Sequence, residues 1–141
     1  MIVVDASLAL KWFLDEALSD EAEAWFVAHG GTIAVPHVFL TEVTGVLVRR
    51  ANIDKALRRE TEDSLARFAA LFDEQLIVAK SMDQHQMVQA ARLALDLGHP
   101  LKDCIYLALA MELGCELATC DARFAEKARA SHPEITLLGE L

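Results

Sequence analysis

Apolar positions along the chain fall into two kinds of run. Five are short and nearly unbroken: IVV at 2–4, TIAV at 32–35, LIVA at 76–79, ELAT at 116–119 and ITLL at 135–138. Strands covered on both faces by helices read this way, because neither face meets water. Between them lie longer segments with helical spacing. Residues 37–51, following Pro36, predict one helix, and Asp54 stands where it would cap a second that runs to about Phe72. In SMDQ, Ser81 and Gln84 have capping-box spacing ahead of a third helix that ends near Gly98. A fourth covers 101–113 and is closed by Gly114, where a C-terminal glycine belongs.

Strands that alternate with helices of this length require right-handed crossovers, and hence a mainly parallel sheet of about five strands with helices on both sides. The expected fold class is a small three-layer α/β/α domain. No repeat, linker or low-complexity tract divides the chain, so residues 1–141 are expected to form one domain. Its 141 residues, 54% hydrophobic, suffice for a substantial core.

No apolar run approaches the ~20 residues needed to span a bilayer, and the N-terminus lacks the pattern of a secretion signal. A cytoplasmic protein without membrane contact is the default expectation. Cys104, Cys115 and Cys120 have no ligand spacing and read as reduced core thiols. The net charge of −9 argues against a protein that grips nucleic acid over its whole surface, since neutralising phosphates with Lys and Arg dominates that affinity. It leaves room for a local basic strip, or for an acidic pocket whose sign a bound cation reverses.

Candidate chemistry starts from the acids. In an open parallel sheet, ligands bind outside the carboxyl ends of the strands. Asp5 ends the first strand in MIVVDAS, and Asp121 follows the fourth in TCDARF. Glu42 in VFLTEVTGVLV and Asp103 in PLKDCIYLALA occupy helices with little polar face. Two carboxylates ~4 Å apart repel by roughly 4 kcal/mol at an effective dielectric near 20, so four gathered together need a counterion. Oxygen ligands without cysteine or histidine suit Mg²⁺ or Mn²⁺, which lower the pKa of bound water and neutralise phosphoryl oxygens. Taken singly, Asp5 and Asp121 are more simply read as N-caps of the helices that follow them. Asp103 has the alternative of a buried pair with Lys102 or an arginine.

These same segments carry a resemblance. MIVVDAS at the N-terminus, a glutamate inside an apolar helix after a strand ending in proline, KDCIYLALA and TCDARF together resemble the PIN-domain ribonucleases, in particular the VapC toxins of bacterial toxin–antitoxin pairs. The resemblance spans nearly the whole chain in order and spacing. It implies a Mg²⁺-dependent endonuclease for single-stranded RNA, possessing a metal-binding, catalytic quartet at Asp5, Glu42, Asp103 and Asp121. It further implies supporting hydroxyls at Ser7 and Thr119, a homodimer, and a small cognate antitoxin that occupies the acidic groove. Lys102 departs from the family, which often has an aromatic or small residue before that aspartate.

Arg49, Arg50, Lys55, Arg58 and Arg59 cluster between two helical segments and form a candidate RNA track, with a solvated helix face as the plainer reading. Trp12, Phe13, Trp25, Phe26, Phe39, Phe68 and Phe72 fall on apolar helical faces and are expected in core or dimer packing rather than base stacking. The histidines lack ligand spacing, and only His99, before Pro100 in a loop, stands out among them. A phosphatase of the haloacid-dehalogenase type would need a second acid two residues after Asp5, where Ser7 stands. A receiver-like module would need paired acids after the first strand and a lysine after the last, and has neither. A PIN-like binding module without catalysis would have no use for four mutually repelling acids.

Overall fold

The computed structural model describes residues 1–132 and 134–139. All five apolar runs are strands of one sheet: β1 (Ile2–Val4), β2 (Ile33–Pro36), β3 (Ile77–Lys80), β4 (Glu116–Thr119) and β5 (Ile135–Leu137). Their order is β3-β2-β1-β4-β5 and every pairing is parallel. Val3 lies opposite Ala34 on one side and Leu117 on the other, and all three are fully buried. The unbroken apolar character of the runs is thereby explained, because helices cover both faces of the central strands.

The helices are α1 (Ala6–Ala9), α2 (Ser19–His29), α3 (Val38–Ile53), α4 (Arg58–Asp73), α5 (Gln84–Leu97), α6 (Leu101–Leu113) and α7 (Ala122–Ala128), with 3-10 turns at Leu10–Trp12 and Lys55–Leu57. Two predicted helix starts are corrected. The capping box ahead of α5 is formed by Asp83 and Gln86, not by Ser81 and Gln84: each side chain bonds the other's backbone N–H, at 2.9 and 2.7 Å. Both pairs have the required spacing, and only Asp83 sits where the extended backbone turns into the helix. Asp54 caps the 3-10 turn at Lys55–Leu57 through the Ala56 N–H, and α4 begins only after that turn, at Arg58.

Helix α6 packs against β1, β2 and β4 and buries Cys104, Ile105, Tyr106, Leu107, Leu109 and Ala110. Glycines frame its N-terminal approach and its end. Gly98 and Gly114 both sit at φ +61°, a left-handed conformation that side chains with a Cβ disfavour, and each ends its helix abruptly. Cys104 and Cys115 are buried as expected, and Cys120 is partly exposed. Of the aromatics, Trp25, Phe39 and Phe68 enter the core with Phe13, whereas Trp12, Phe26 and Phe72 are only partly buried; Trp12, Phe13 and Phe26 line a surface cavity of about 340 Å³. Among the described residues no helix is long and apolar enough to cross a membrane.

The strand order fixes where a ligand site belongs. The chain leaves β1 toward β2 on one side and returns in β4 on the other, so the direction of winding reverses between β1 and β4. The crevice at such a reversal opens beyond the strands' carboxyl ends.

Candidate active site

Asp5 is the residue immediately beyond β1, at that reversal, and is almost entirely buried. Its carboxylate is held by two relays from the end of β4. The Cys120 N–H donates to Ser7 Oγ (3.0 Å), and Ser7 Oγ–H donates to Asp5 Oδ1 (2.7 Å). Likewise the Asp121 N–H donates to Thr119 Oγ1 (3.0 Å), whose hydroxyl donates to Asp5 Oδ2 (2.5 Å). Each hydroxyl is polarised by the N–H behind it, which strengthens its own donation. Leu8 N–H adds a third bond, at 3.2 Å, so Asp5 does cap α1 as the simpler reading expected. These bonds favour the charged form, yet desolvation outweighs them, and burial lifts the pKa from 3.8 to about 6. The charge of Asp103 contributes in the same direction.

Glu42 enters from the second turn of α3, which begins just past the carboxyl end of β2. Its Oε2 lies 3.5 Å from Lys102 Nζ, while Oε1 is buried without a hydrogen-bond partner among the described residues. Burial raises its pKa; the nearby Tyr106 hydroxyl and Lys102 oppose the rise, and Asp103 adds to it. Tyr106 is itself buried, with its hydroxyl left unbonded at normal hydrogen-bond geometry, and burial plus the charge of Glu42 push its pKa up. Lys102 therefore serves Glu42, not Asp103, because adjacent helix residues diverge by about 100°. Lys102→Ala removes that counter-charge. The Glu42 pKa is then expected to rise further in a carboxyl-resolved NMR titration, while stability changes by less than about 1 kcal/mol because the ammonium is more than half exposed.

Asp103 occupies the first turn of α6, where the helix dipole favours an acid. Because α6 leads into the start of β4, its first turn lies at the sheet's carboxyl edge. Asp103 Oδ2 is 2.7 Å from His99 Nε2. Asp121 caps α7 through Oδ1, which accepts the Phe124 N–H at 3.0 Å, so the capping reading holds for it too. Capping engages one oxygen of Asp121 and leaves the other available.

All four acids line one cavity of about 370 Å³, together with Ser7, Leu10, Pro100 and Lys102. Lys102 is the only cation in that lining among the described residues. Thr119 lies beneath it, fully buried. Among the described residues no three His, Cys, Asp or Glu side chains are already gathered closely enough to hold an ion directly. The donor chemistry still fits a hydrated hard cation. Among the described residues Asp5 has no ion-pair partner and Glu42 Oε1 accepts no hydrogen bond, and Mg²⁺ keeps several waters through which more distant carboxylates act.

Of the proposed basic track, Arg49, Arg50, Lys55, Arg58 and Arg59 are all exposed, and none lines the acidic cavity. Arg58 is engaged by Glu62 at 3.1 Å. Arg49 follows Glu42 by seven residues, two turns along the same face of α3. Sequence reasoning left out Tyr106 and gave His99 no role. Both have a visible signal: the spacing of three or four residues from Asp103.

Comparison with known proteins agrees with the fold. The sequence profile of the PIN domain matches residues 2–130. No curated protein sequence matches the chain. Solved structures share its fold, three of them as follows. VapC20 of Mycobacterium tuberculosis, described as a Sarcin-Ricin loop cleaving toxin, is 16% identical with a TM-score of 0.71, over 89% of this chain and 94% of that one. A toxin–antitoxin complex from Klebsiella pneumoniae is 18% identical with a TM-score of 0.72, and FitAcB from Neisseria gonorrhoeae 16% with 0.71, each over the full length of both chains. Identities this low speak for the fold alone. The profile match is of a different kind: it takes in all four acids and every strand but the last, and by it this chain belongs to the PIN domain family.

Proposed function

We propose that this protein is a Mg²⁺-dependent endoribonuclease that hydrolyses phosphodiester bonds in single-stranded RNA, and that it is the toxin of a toxin–antitoxin pair. The observation that carries the reading is the convergence of Asp5, Glu42, Asp103 and Asp121, from four separate segments, on one cavity at the reversal of the sheet. Four acids in one cavity with a single lysine are electrostatically unfavourable unless a cation joins them.

In this reading Asp5, Glu42 and Asp103 hold the metal most directly, with Asp121 as a further ligand or through water. A bound Mg²⁺ or Mn²⁺ supplies charge neutralisation at a phosphoryl oxygen and acidifies a water for in-line attack. Ser7 and Thr119 hold the Asp5 carboxylate in one orientation through their hydroxyls. Arg49, Arg50, Lys55, Arg58 and Arg59 draw the RNA backbone toward the cleft, and binding through them falls steeply as salt rises. The Ser7 bond to Asp5 counts against a phosphatase of the haloacid-dehalogenase type, because the position two residues on orients the carboxylate instead of supplying a second acid.

Purified protein is expected to cleave single-stranded RNA with Mg²⁺ or Mn²⁺, to stop with EDTA, and to resume when metal is returned. Cleavage that persists in EDTA, or that Asp103→Asn leaves untouched, removes the metal reading. The toxin role is supported by the likeness in fold to VapC20, a Sarcin-Ricin loop cleaving toxin. Induced expression should arrest growth, and a small protein encoded beside the gene should relieve the arrest by covering the cavity; unaffected growth by an active enzyme points to a housekeeping ribonuclease. The reading further includes a cytoplasmic location and a homodimer, the latter checked by light scattering.

A further inference from the structure

His99 lies in the three-residue link between α5 and α6, held by Gly98 in its left-handed turn and by Pro100 at the start of α6. Its backbone N–H bonds to Ala94 O at 3.1 Å, which fixes where the side chain begins. The ring is buried, with only 6% of the side chain exposed, and stacks on Phe124 with centroids 5.0 Å apart and planes 20° from parallel. Nε2 is 2.7 Å from Asp103 Oδ2, and Nδ1 is buried without a hydrogen-bond partner among the described residues. A ring proton on Nδ1 would be an orphaned buried donor, whereas on Nε2 it meets a carboxylate oxygen, so the bonding assigns it to Nε2.

The contact joins two of the acids. Phe124, on which the ring stacks, is also the residue whose N–H holds Asp121 Oδ1. His99 thus touches Asp103 by hydrogen bond and the capping turn of Asp121 by its ring face. Asp103 is otherwise a short side chain with 27% exposure on the first turn of a helix, free to choose among rotamers. Ligating carboxylates need outer partners that fix them, and loss of such a partner weakens metal binding by about 10–100-fold.

We propose that His99 is a positioning residue for the acidic site: its Nε2–H pins Asp103 Oδ2, so that Oδ1 faces the cavity, and its stack on Phe124 sets Asp103 in register with Asp121. The metal consequence rests on the reading above; the hydrogen bond itself does not.

Ring ¹⁵N NMR on the metal-free protein tests the bond alone. A single Nε2–H tautomer with a slowly exchanging proton is expected, and a rapidly exchanging mixture of tautomers overturns the proposal. Mn²⁺ binding followed by EPR tests the consequence. His99→Phe keeps the ring and the stack but has no donor, and should weaken Mn²⁺ about 10–100-fold, whereas His99→Gln restores a donor without the stack and should recover part of that loss. Cleavage by His99→Phe should recover at high Mg²⁺ with an unchanged KM for RNA. His99→Phe that binds Mn²⁺ as tightly as wild type overturns the proposal, as does equal weakening by both variants. Wild type that binds no Mn²⁺ in an Asp5-dependent way removes the metal reading instead, and the NMR result then decides whether His99 holds Asp103.

Discussion

Asp5→Asn is expected to abolish RNA cleavage while raising the melting temperature of the metal-free protein. The loss of activity should reach at least a factor of about a thousand, equivalent to about 4 kcal/mol of transition-state stabilisation. The gain in stability follows from burial. Asp5 is almost wholly out of water, and its pKa of about 6 against 3.8 corresponds to about 3 kcal/mol that the native state loses when the group is charged. Asparagine accepts the Ser7 and Leu8 bonds as before; its amide faces Thr119, which must turn to accept, and that takes back part of the gain. A rise of about 3–6 °C is the expected net effect for a chain of this size. Mg²⁺ should invert the order, stabilising wild type by about 3 kcal/mol at a hundred times its Kd and leaving Asp5→Asn unmoved. Thermal denaturation with and without Mg²⁺ reads both effects. A variant that cleaves like wild type, or that melts lower without metal, contradicts this account of Asp5.

The same shift sets a pH dependence. Because the native state holds the Asp5 proton more tightly than the unfolded chain, its contribution to stability is complete below about pH 4 and is lost as pH rises to about 6. Metal competes with that proton, so Mg²⁺ affinity and cleavage should climb between about pH 5 and 7. Asp5→Asn should lose this component of the stability profile.

Thr119→Val is the second large effect. Valine matches threonine in shape but removes a hydroxyl that donates to Asp5 Oδ2 and accepts from the Asp121 N–H. Both groups then lack a partner near the protein interior, which is expected to lower stability by about 2–4 kcal/mol. Without that bond the Asp5 pKa should move further up, carrying the pH profile of cleavage with it, and activity at neutral pH should fall about 10–100-fold. Thr119→Ser keeps the hydroxyl and should retain most activity at a stability loss of about 1 kcal/mol. Equal pH profiles for wild type and Thr119→Val would show that the relay does not govern the charge on Asp5.

Much of this was legible in the chain. Runs without alternation, such as IVV and ELAT, read as strands because a strand buried on both faces has no use for polar residues, and every such run is in the sheet. Acids at strand ends pointed to the crevice because parallel strands present their carboxyl ends together. Helix starts were less legible. Ser81 with Gln84 and Asp83 with Gln86 satisfy the same local rule, and only the path of the chain leaving β3 decides between them.

By itself, then, the sequence determined the five strands, the α/β class and the candidacy of the four acids, since each of these depends on local periodicity or on the charge of one residue, whereas α2 (Ser19–His29) was not read from it. Only the tertiary structure decided the strand order, which brings β1 beside β4 and lets Thr119 reach across more than a hundred residues to hold Asp5. It alone decided that Lys102 serves Glu42 and that His99 serves Asp103. A hydrogen bond or an ion pair depends on direction as well as distance, and direction is set by how helices and strands pack, which local spacing leaves open.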